Sequence, residues 1–258
     1  MFNRPKIEIK NPEQIFKMHR AGRVVGKALA AVEAAAQPGV SSGELDDIAK
    51  DIIFSNNAAP SFLGYHGFPA HICVSINDEV VHGIPARDRI LQQGDLVSVD
   101  CGAIVEGWHG DAAITIEIGA VKPELKKLSA LTHQALMAGI AAAQVGNRIS
   151  DIGQAIENVA SSQTELDIGI VQEYVGHGIG SQMHMAPSVP NYGPPGNGVK
   201  LVEGMAIAIE PMFILGSPKV HILEDEWTVV SSEGAIASHW ENTIVITKSG
   251  PEITTVRE

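Results

Sequence analysis

Two short runs of alternating apolar and polar residues occupy the middle of the chain, between Leu96 and Ile118. A period of two is the pattern of a β-strand with one buried face. In both runs the more polar face carries an aspartate, Asp100 in the first and Asp111 in the second. Because a turn near Val105-Glu106-Gly107 separates the runs, we predict an antiparallel hairpin of two half-buried strands with the aspartates nearly opposite each other.

Two carboxylates at that spacing repel unless a proton or a metal ion lies between them. The pair alone also has a simpler interpretation, with one aspartate at a strand end and the other in a turn. The remainder of the chain decides between these interpretations.

Helical patterns flank the hairpin on both sides. Two helices are predicted before it, one from the N-cap Asn11 to about Ala36 and one that is capped by Ser41 or Ser42. Two more are predicted after it, over 122–143 and 149–160. Strands and Gly/Pro-rich turns fill the rest of the chain.

This order of elements is an internal repeat that aligns the acidic residues of the two halves. LQQGDLVSVD, which ends at Asp100, aligns without a gap to LVEGMAIAIE, which ends at Glu210. DAAITI, which begins at Asp111, aligns to ENTIVI, which begins at Glu241. Each half therefore supplies two carboxyl groups to equivalent strand positions.

The repeat predicts the fold class and the domain organisation. Two helix–helix–strand–hairpin units, over roughly 11–120 and 121–250, form pseudo-twofold-related halves of an α+β fold. A curved antiparallel β-sheet carries the acids on its inner face, and the helices lie outside. We expect one domain over 1–258, with a short arm at 1–10.

Four acids on a buried face need compensation, and divalent metal is the simplest source of it. Four carboxylates hold two ions if two of them bridge. A nitrogen ligand favours a transition metal over Mg²⁺ or Ca²⁺, and His177 in VGHGIG is the best candidate because its flanking glycines allow close approach of the backbone. A histidine satisfied within a glycine turn remains the alternative.

Composition and charge narrow the function classes. The net charge of −12 argues against a nucleic-acid binder. Cys73 and Cys101 give neither a disulfide framework nor a metal-binding spacing, which fits a reducing compartment. With no signal peptide or membrane-length apolar run recognised, a cytoplasmic protein is expected. Basic residues near the start, among them Arg4, Lys6 and Lys10, form either a solvated helix face or a docking patch for an anionic partner.

The motifs resemble those of type I methionine aminopeptidases of the bacterial short form, which are M24 metallopeptidases with the pita-bread fold. The resemblance runs from Asn11 to about Thr254 and rests on GYHGFP, CVSINDEVVHGIP, GWHGDAA, GHGIG, MHMAP, IEP, EWT and ENTIVIT. It implies hydrolysis of the initiator methionine from nascent proteins and peptides whose second residue is small. It also implies two divalent ions, for which Co²⁺, Mn²⁺, Fe²⁺ and Zn²⁺ are all suitable.

The resemblance further implies roles for individual residues. The metal ligands would be Asp100, Asp111, His177, Glu210 and Glu241, of which Asp111 and Glu241 would bridge the ions. Glu210 would also accept and pass on a proton. His184 would donate to the developing oxyanion, and His82 would contact the scissile amide nitrogen; the two histidines occupy matched positions in HGIP and HMAP.

A small apolar pocket would select the methionine side chain. The resemblance places these further residues around it: Tyr65, Phe68, Cys73, Met183, Trp227 and Phe62. Any of them could instead belong to the core. The family often has other residues at Phe62, Phe68 and Met183, and a histidine where Asn242 stands, so pocket shape and outer ligand contacts are expected to differ. His239 is interpreted as a structural or surface residue, while His66 and His109 stay undecided.

Other functions are compatible with the sequence. Prolidases and X-Pro aminopeptidases are also metallo-exopeptidases with the pita-bread fold. They would share the acidic metal ligands, but they usually have a separate N-terminal domain. A non-catalytic, ribosome-associated binding module would be expected to have lost ligands. The expected partners are polypeptide N-termini that begin with Met, with weak ribosome association through the basic N-terminal region as a further hypothesis. No membrane and no sequence-specific nucleic acid are expected as partners, and the protein is expected to be a monomer.

Overall fold

The computed structural model describes residues 7–257, and its elements follow the predicted order. The α-helices are α1 (Pro12–Ala35), α2 (Ser42–Ser55), α3 (Pro123–Ala142) and α4 (Ile149–Ser162). The strands of the first half are β1 (Ala59–Pro60), β2 (Ile72–Ile76), β3 (Glu79–Val81), β4 (Leu96–Val105) and β5 (Trp108–Glu117). Those of the second half are β6 (Ile168–Ile170), β7 (Gly176–Gly178), β8 (Met185–Val189), β9 (Ala206–Ile209), β10 (Met212–Leu215), β11 (Val220–Ile222), β12 (Val229–Ser231), β13 (Ala237–His239), β14 (Asn242–Thr247) and β15 (Gly250–Ile253).

Capping side chains define where the helices of the first half begin. The Asn11 N–H donates to Gln14 Oε1 (2.8 Å), and the Gln14 N–H donates to Asn11 Oδ1 (3.0 Å). Ser41 and Glu44 make the same reciprocal pair at the start of α2. Each capping box satisfies two backbone N–H groups at the helix start that would otherwise be unpaired, which explains why the predicted starts are confirmed.

A tight turn joins β4 to β5 where the sequence predicts it. Glu106 and Gly107 have φ angles of 50° and 81°, the left-handed conformation that a two-residue hairpin turn requires. This turn pairs Val105 with Trp108 and so fixes the register of the whole hairpin.

That register differs from the predicted one. Asp100 lies opposite Ala113, and Asp111 lies opposite Gly102. The prediction that the aspartates are nearly opposite is therefore wrong by two residues. Since the shift is even, both side chains still point to the same face of the sheet. They are diagonal neighbours on adjacent strands, a relation in which the residues are roughly 7–8 Å apart.

The hairpin is also buried more completely than predicted. Its apolar face packs under α1 and α2, as expected. The polar face is covered by the second half of the chain: Ser98 Oγ and Thr115 Oγ1 lie 3.0 Å apart, and Thr115 Oγ1 donates to His239 O (2.8 Å). The half-buried prediction is wrong because this face forms an interface between the halves.

The second half has the equivalent strand pair with a different register. β9 pairs antiparallel with β14, and beyond the ladder the Trp240 N–H donates to Pro211 O (3.4 Å). This bond places Glu210 directly opposite Glu241. A long connection rather than a tight turn joins β9 to β14. No turn therefore requires these strands to pair in the same register as β4 and β5.

The two halves meet at residues that the repeat makes equivalent. The Glu241 N–H donates to Ala113 O (2.9 Å), and the Ala113 N–H donates to Glu241 O (3.3 Å). Thr243 Oγ1 accepts from the Asp111 N–H (3.1 Å) and donates to Asp111 O (2.8 Å). Exchanging the halves maps one pair of contacts onto the other, so a pseudo-twofold axis passes beside Asp111 and Glu241.

Hydrogen bonding divides the strands into a four-stranded group around β4, a five-stranded group in the order β15-β14-β9-β7-β8, and two three-stranded groups. The helices α1 and α2 cover the first group, and α3 and α4 cover the second. None of the helices within residues 7–257 combines the length and apolar character that a membrane crossing requires.

Candidate active site

A cavity of about 280 Å³ opens between the halves, beside the pseudo-twofold axis. Its wall is formed by Phe62, Tyr65, His66, Phe68, Cys73, His82, Asp100, Asp111, His177, Met183, His184, Glu210, Trp227 and Glu241. The structure thus brings every predicted ligand, catalytic residue and pocket residue to one place, although they come from both halves of the chain.

The side chains nearest the axis form a compact cluster of possible ligands. Asp111 and Glu241 are 4% and 3% exposed, and His177 is 7% exposed. One ligand atom from each of these residues lies within 4.8 Å of the others. Asp100 and Glu210 extend the cluster, since Asp100 is the diagonal neighbour of Asp111 in the hairpin and lines the same cavity, and Glu210 Oε1 lies 3.5 Å from His177 Nε2.

Glycines on both sides of His177 allow β7 to fit between its neighbours. A Cβ atom on Gly176 would lie 2.4 Å from Ala208 O, and one on Gly178 would lie 2.2 Å from Ala186 O. Neither position can hold a larger residue without moving the backbone. The glycines therefore keep the imidazole of His177 against the carboxyl groups.

The hydrogen bonds of His177 leave one ring nitrogen free to bind a cation. Its Nδ1 lies 3.0 Å from Gly178 O, and since a carbonyl oxygen can only accept, Nδ1 carries the proton. Nε2 then presents its lone pair toward the cluster. Burial lowers the pKa of His177 to about 3, so the ring is neutral and able to bind metal at neutral pH.

Burial perturbs the four carboxyl groups in the opposite direction. It raises the pKa of Asp100 to about 7. Burial, and then the charges of the neighbouring acids, raise the pKa of Asp111 and of Glu241 well above the ordinary range; the pKa of Glu210 is raised in the same way. Without a cation these groups hold protons near neutral pH, because the cavity cannot stabilise so much negative charge.

The cluster fits divalent cations. Among residues 7–257, three buried oxygens in it have no hydrogen-bond partner: Asp100 Oδ1, Asp111 Oδ1 and Glu241 Oε1. Buried polar atoms are almost always satisfied, and a cation would satisfy all three. Carboxylate oxygens with one imidazole nitrogen suit a transition metal.

The apolar side of the cavity is a separate hydrophobic cluster. The rings of Phe62 and Phe68 meet edge to face at 6.5 Å, and those of Phe68 and Trp227 at 5.1 Å. Cys73 connects this cluster to the acids, because it lies opposite Asp100 in the ladder between β2 and β4. Ala70 and Ile84 also belong to the cluster and were not predicted, since no motif marks them.

His184 and His82 line the cavity between its acidic and apolar sides. His184 Nδ1 lies 2.9 Å from the Tyr65 hydroxyl, and its ring lies 4.2 Å from that of His177. His82 has a φ of 61°, a left-handed conformation that is uncommon outside glycine, and its ring packs against Trp227 at 6.4 Å. Burial lowers the pKa of His82 to about 4.

Three further histidines lie in or near the site. His66 lines the cavity. His109 does not, and its Nδ1 lies 2.9 Å from Ser61 Oγ. His239, interpreted from the sequence as structural or surface, is 2% exposed and lies 3.8 Å from Glu210. It was missed because its position in β13 belongs to neither hairpin of the repeat.

Within the described residues, some basic side chains of the N-terminal region pair with nearby acids. Lys10 is buried and lies 3.3 Å from Glu8 Oε1. Lys17 Nζ lies 3.0 Å from Glu13 Oε1. Arg4 and Lys6, which were also assigned to a docking patch, lie outside the described residues.

Comparisons with known proteins identify the family of this chain. The model for metallopeptidase family M24 matches residues 17–248. A methionine aminopeptidase of Clostridium acetobutylicum is 50% identical over 252 residues, which are 98% of this chain and 100% of that protein. Methionine aminopeptidase 1 of Mycobacterium tuberculosis is 53% identical over 242 residues, which are 93% of this chain and 91% of that protein.

Solved structures show the same relationship. The crystal structure of a methionine aminopeptidase from Thermotoga maritima has a TM-score of 0.95 and 39% identity, and the match covers 97% of this chain and 100% of that one. A prolidase from Pyrococcus furiosus shares the fold, with a TM-score of 0.75 and 22% identity over 97% of this chain, but the match covers only 66% of the prolidase. The predicted pita-bread fold is confirmed. The chain belongs to metallopeptidase family M24, among its methionine aminopeptidases.

Proposed function

We propose that this chain hydrolyses the peptide bond after an N-terminal methionine, using two divalent metal ions held by Asp100, Asp111, His177, Glu210 and Glu241. The observation that carries the proposal is one cavity that joins four carboxyl groups, two of them buried and two partly buried, and an imidazole to an apolar pocket. Bound divalent ions lower the pKa of water toward neutrality and polarise a carbonyl group.

Position relative to the pseudo-twofold axis suggests how the ligands divide between the ions. Asp111 and Glu241 lie on either side of the axis and would be shared. Asp100 would bind one ion, while Glu210 and His177 would bind the other. The mixed oxygen and nitrogen set supports Co²⁺, Mn²⁺, Fe²⁺ or Zn²⁺ as the metal.

The methionine side chain would enter the apolar pocket. Tyr65, Phe68, Cys73, Met183 and Trp227 would contact it, together with Phe62. Sulfur–aromatic contacts favour a thioether over an aliphatic side chain of the same size. Burial raises the pKa of the Cys73 thiol, so this residue would act as a small apolar wall rather than as a nucleophile.

Three polar side chains would act on the peptide bond. Glu210 would accept and return a proton. If the Tyr65 hydroxyl donates to Nδ1 of His184, the proton of that ring lies on Nε2 and is available to the substrate carbonyl oxygen. His82, with its lowered pKa, is neutral at pH 7, so it would donate a hydrogen bond at the scissile amide rather than act as a charged acid.

The substrate is a polypeptide N-terminus, and a small second residue is expected. We further propose a monomeric, single-domain enzyme of the cytoplasm, which is supported by the free thiols Cys73 and Cys101. Weak ribosome docking through the N-terminal basic residues remains a hypothesis, and the pairing of Lys10 with Glu8 leaves less free positive charge there than the sequence suggests.

The test measures methionine release from Met-Ala-Ser by metal-stripped protein that is resupplied with each divalent ion. Asp111→Asn is compared with Asp88→Asn, which changes an exposed aspartate away from the cavity. We expect metal-restored cleavage by the parent and by Asp88→Asn. Asp111→Asn should lose more than the roughly 10–100-fold that loss of an outer-shell partner costs.

Three outcomes would contradict the proposal. Full activity of Asp111→Asn would refute the ligand set. Preferential cleavage of any residue that precedes proline would favour an X-Pro enzyme. Bound metal without cleavage of any peptide would favour a binding module.

A further inference from the structure

We propose that His239 is a positioning residue for Glu210, whose outer carboxylate oxygen accepts a hydrogen bond from His239 Nε2. The inference rests on the proposed function, because it concerns how a metal-binding carboxylate is held. It adds to the site a residue that lies outside the aligned segments of the internal repeat.

The two oxygens of Glu210 face different histidines. Oε1 lies 3.5 Å from His177 Nε2, on the side of the ligand cluster. Oε2 lies 3.8 Å from His239 Nε2, on the opposite side. A carboxylate that presents Oε1 to a cation therefore presents Oε2 to His239.

His239 Nε2 is a buried polar atom without a hydrogen-bond partner among residues 7–257. A buried ring nitrogen in that state is costly. Glu210 Oε2 lies next to it, and a rotation that brings the oxygen about 1 Å closer would reach hydrogen-bond distance.

The backbone of His239 is fixed by the first half of the chain. Its N–H donates to Ser98 Oγ and Thr115 Oγ1, both at 3.1 Å. Thr115 Oγ1 in turn donates to His239 O (2.8 Å). The polar face of the hairpin thus sets where the imidazole lies, which explains why small hydroxyl side chains occupy that buried face.

Glu210 is held from its backbone as well. Asn191, which is fully buried, donates from Nδ2 to Glu210 O (3.0 Å). With the main chain fixed by Asn191 and Oε2 fixed by His239, only Oε1 would remain free. Carboxylate ligands are commonly oriented by such outer hydrogen bonds, whose loss weakens metal binding or activity roughly 10–100-fold.

The experiment compares two substitutions of His239. His239→Gln keeps a donor of similar reach, whereas His239→Leu keeps similar volume without a donor. His221→Leu, at an exposed histidine of β11, is the matched control. Metal-stripped proteins are titrated with Co²⁺ by calorimetry, and the visible absorption of bound Co²⁺ reports the ligand geometry; kcat and KM for Met-Ala-Ser are measured in parallel.

We expect His239→Leu to weaken Co²⁺ binding about 10–100-fold, to change the absorption spectrum and to lower kcat more than it raises KM. His239→Gln should bind Co²⁺ with an affinity within a few-fold of that of the parent and should keep the parent's absorption spectrum. His221→Leu should match the parent in both measurements. If His239→Leu does not fold, His239→Asn, whose amide is too short to reach Oε2, replaces it with the same expected loss.

Parent-like Co²⁺ binding by His239→Leu would overturn the inference, because volume alone would then suffice. An equal loss in His239→Gln and His239→Leu would also overturn it, since the ring would then act other than as a donor, for example as a metal ligand. Failure of the parent protein itself to bind Co²⁺ would refute the proposed function and the inference with it.

Discussion

The protonation of individual side chains decides whether the cavity can receive a cation. Burial raises the pKa of the acids and lowers that of His177, so the metal-free site is close to neutral. Metal must displace protons from carboxyl groups, but none from His177, which is already unprotonated above about pH 4.

The first prediction is that metal binding releases protons and strengthens as pH rises. The folded pKa of Asp100, about 7, lies above its ordinary value, so this group alone is about half protonated at pH 7 and must ionise to bind. The other acids, with raised pKa values, add to the release. Calorimetric titration with Mn²⁺ in buffers of different ionisation enthalpy should give at least about half a proton per protein at pH 7.

The affinity should increase between pH 6 and 8 in the parent and in Asp88→Asn alike. An affinity that does not change with pH, with no buffer dependence of the heat, would show that the carboxyl groups are already ionised in the metal-free protein.

At this scale the sequence was sufficient where a repeat or a glycine marked the residue. The repeat pointed to four carboxyl groups and the glycine turn to His177, and all five line one cavity. It was insufficient for His239, because nothing in the pattern of β13 distinguishes a histidine beside a carboxylate from one in a core. That distinction depends on contacts between the halves.

At the scale of elements, local signals set the ends of helices but not the pairing of strands. Capping boxes at Asn11 and Ser41 operate within one turn of helix, so the sequence contains the whole interaction. The register of β4 and β5 depends on which two residues form the turn. If the turn is placed one residue too early or too late, every residue of β4 is paired with a residue of β5 that is two positions away from its true partner. In the second half no turn constrains β9 and β14, so the pairing of Glu210 with Glu241 had no local signal.

Packing between elements gives a prediction that opposes helix propensity. Gly22 lies in α1, where a Cβ atom would be 2.1 Å from Thr254 O. On the β5 side, a Cβ on Gly110 would be 2.8 Å from Gly22 N. Gly22→Ala should lower the free energy of unfolding by about 1–3 kcal/mol in urea denaturation, although alanine in an exposed helix would gain about 1 kcal/mol.

Gly139→Ala in α3 is the matched control. Its nearest neighbour would be the flexible end of Ile156, with Cδ1 at 3.0 Å, so its stability should stay within about 1 kcal/mol of the parent. If both substitutions stabilised the protein equally, helix propensity rather than the contact with Thr254 would determine the effect of Gly22→Ala on stability.

At the scale of the whole molecule, catalysis and folding depend on the same contact between the halves. Asp111 and Glu241 lie beside the pseudo-twofold axis, and the backbone bonds at that axis hold them together. The sequence predicted the two halves and their equivalence through its repeat. It could not predict the bonds across the axis, because residues more than a hundred positions apart form them.

The last prediction concerns Thr243, the buried residue that completes this contact. Its hydroxyl satisfies both the N–H and the C=O of Asp111, and valine has nearly the same shape but neither donates nor accepts. Thr243→Val would leave two buried backbone groups unpaired, at about 1–3 kcal/mol each. The free energy of unfolding should therefore fall by at least about 2 kcal/mol, whereas the control Thr132→Val, whose hydroxyl only donates to Leu128 O within α3, should lose less.

Unfolding should remain one transition in Thr243→Val. Helix loss, followed by circular dichroism, and exposure of the three tryptophans, followed by fluorescence, should coincide, because each half buries its sheet against the other. Two separated transitions in the parent would instead mean that the halves are independent folding units.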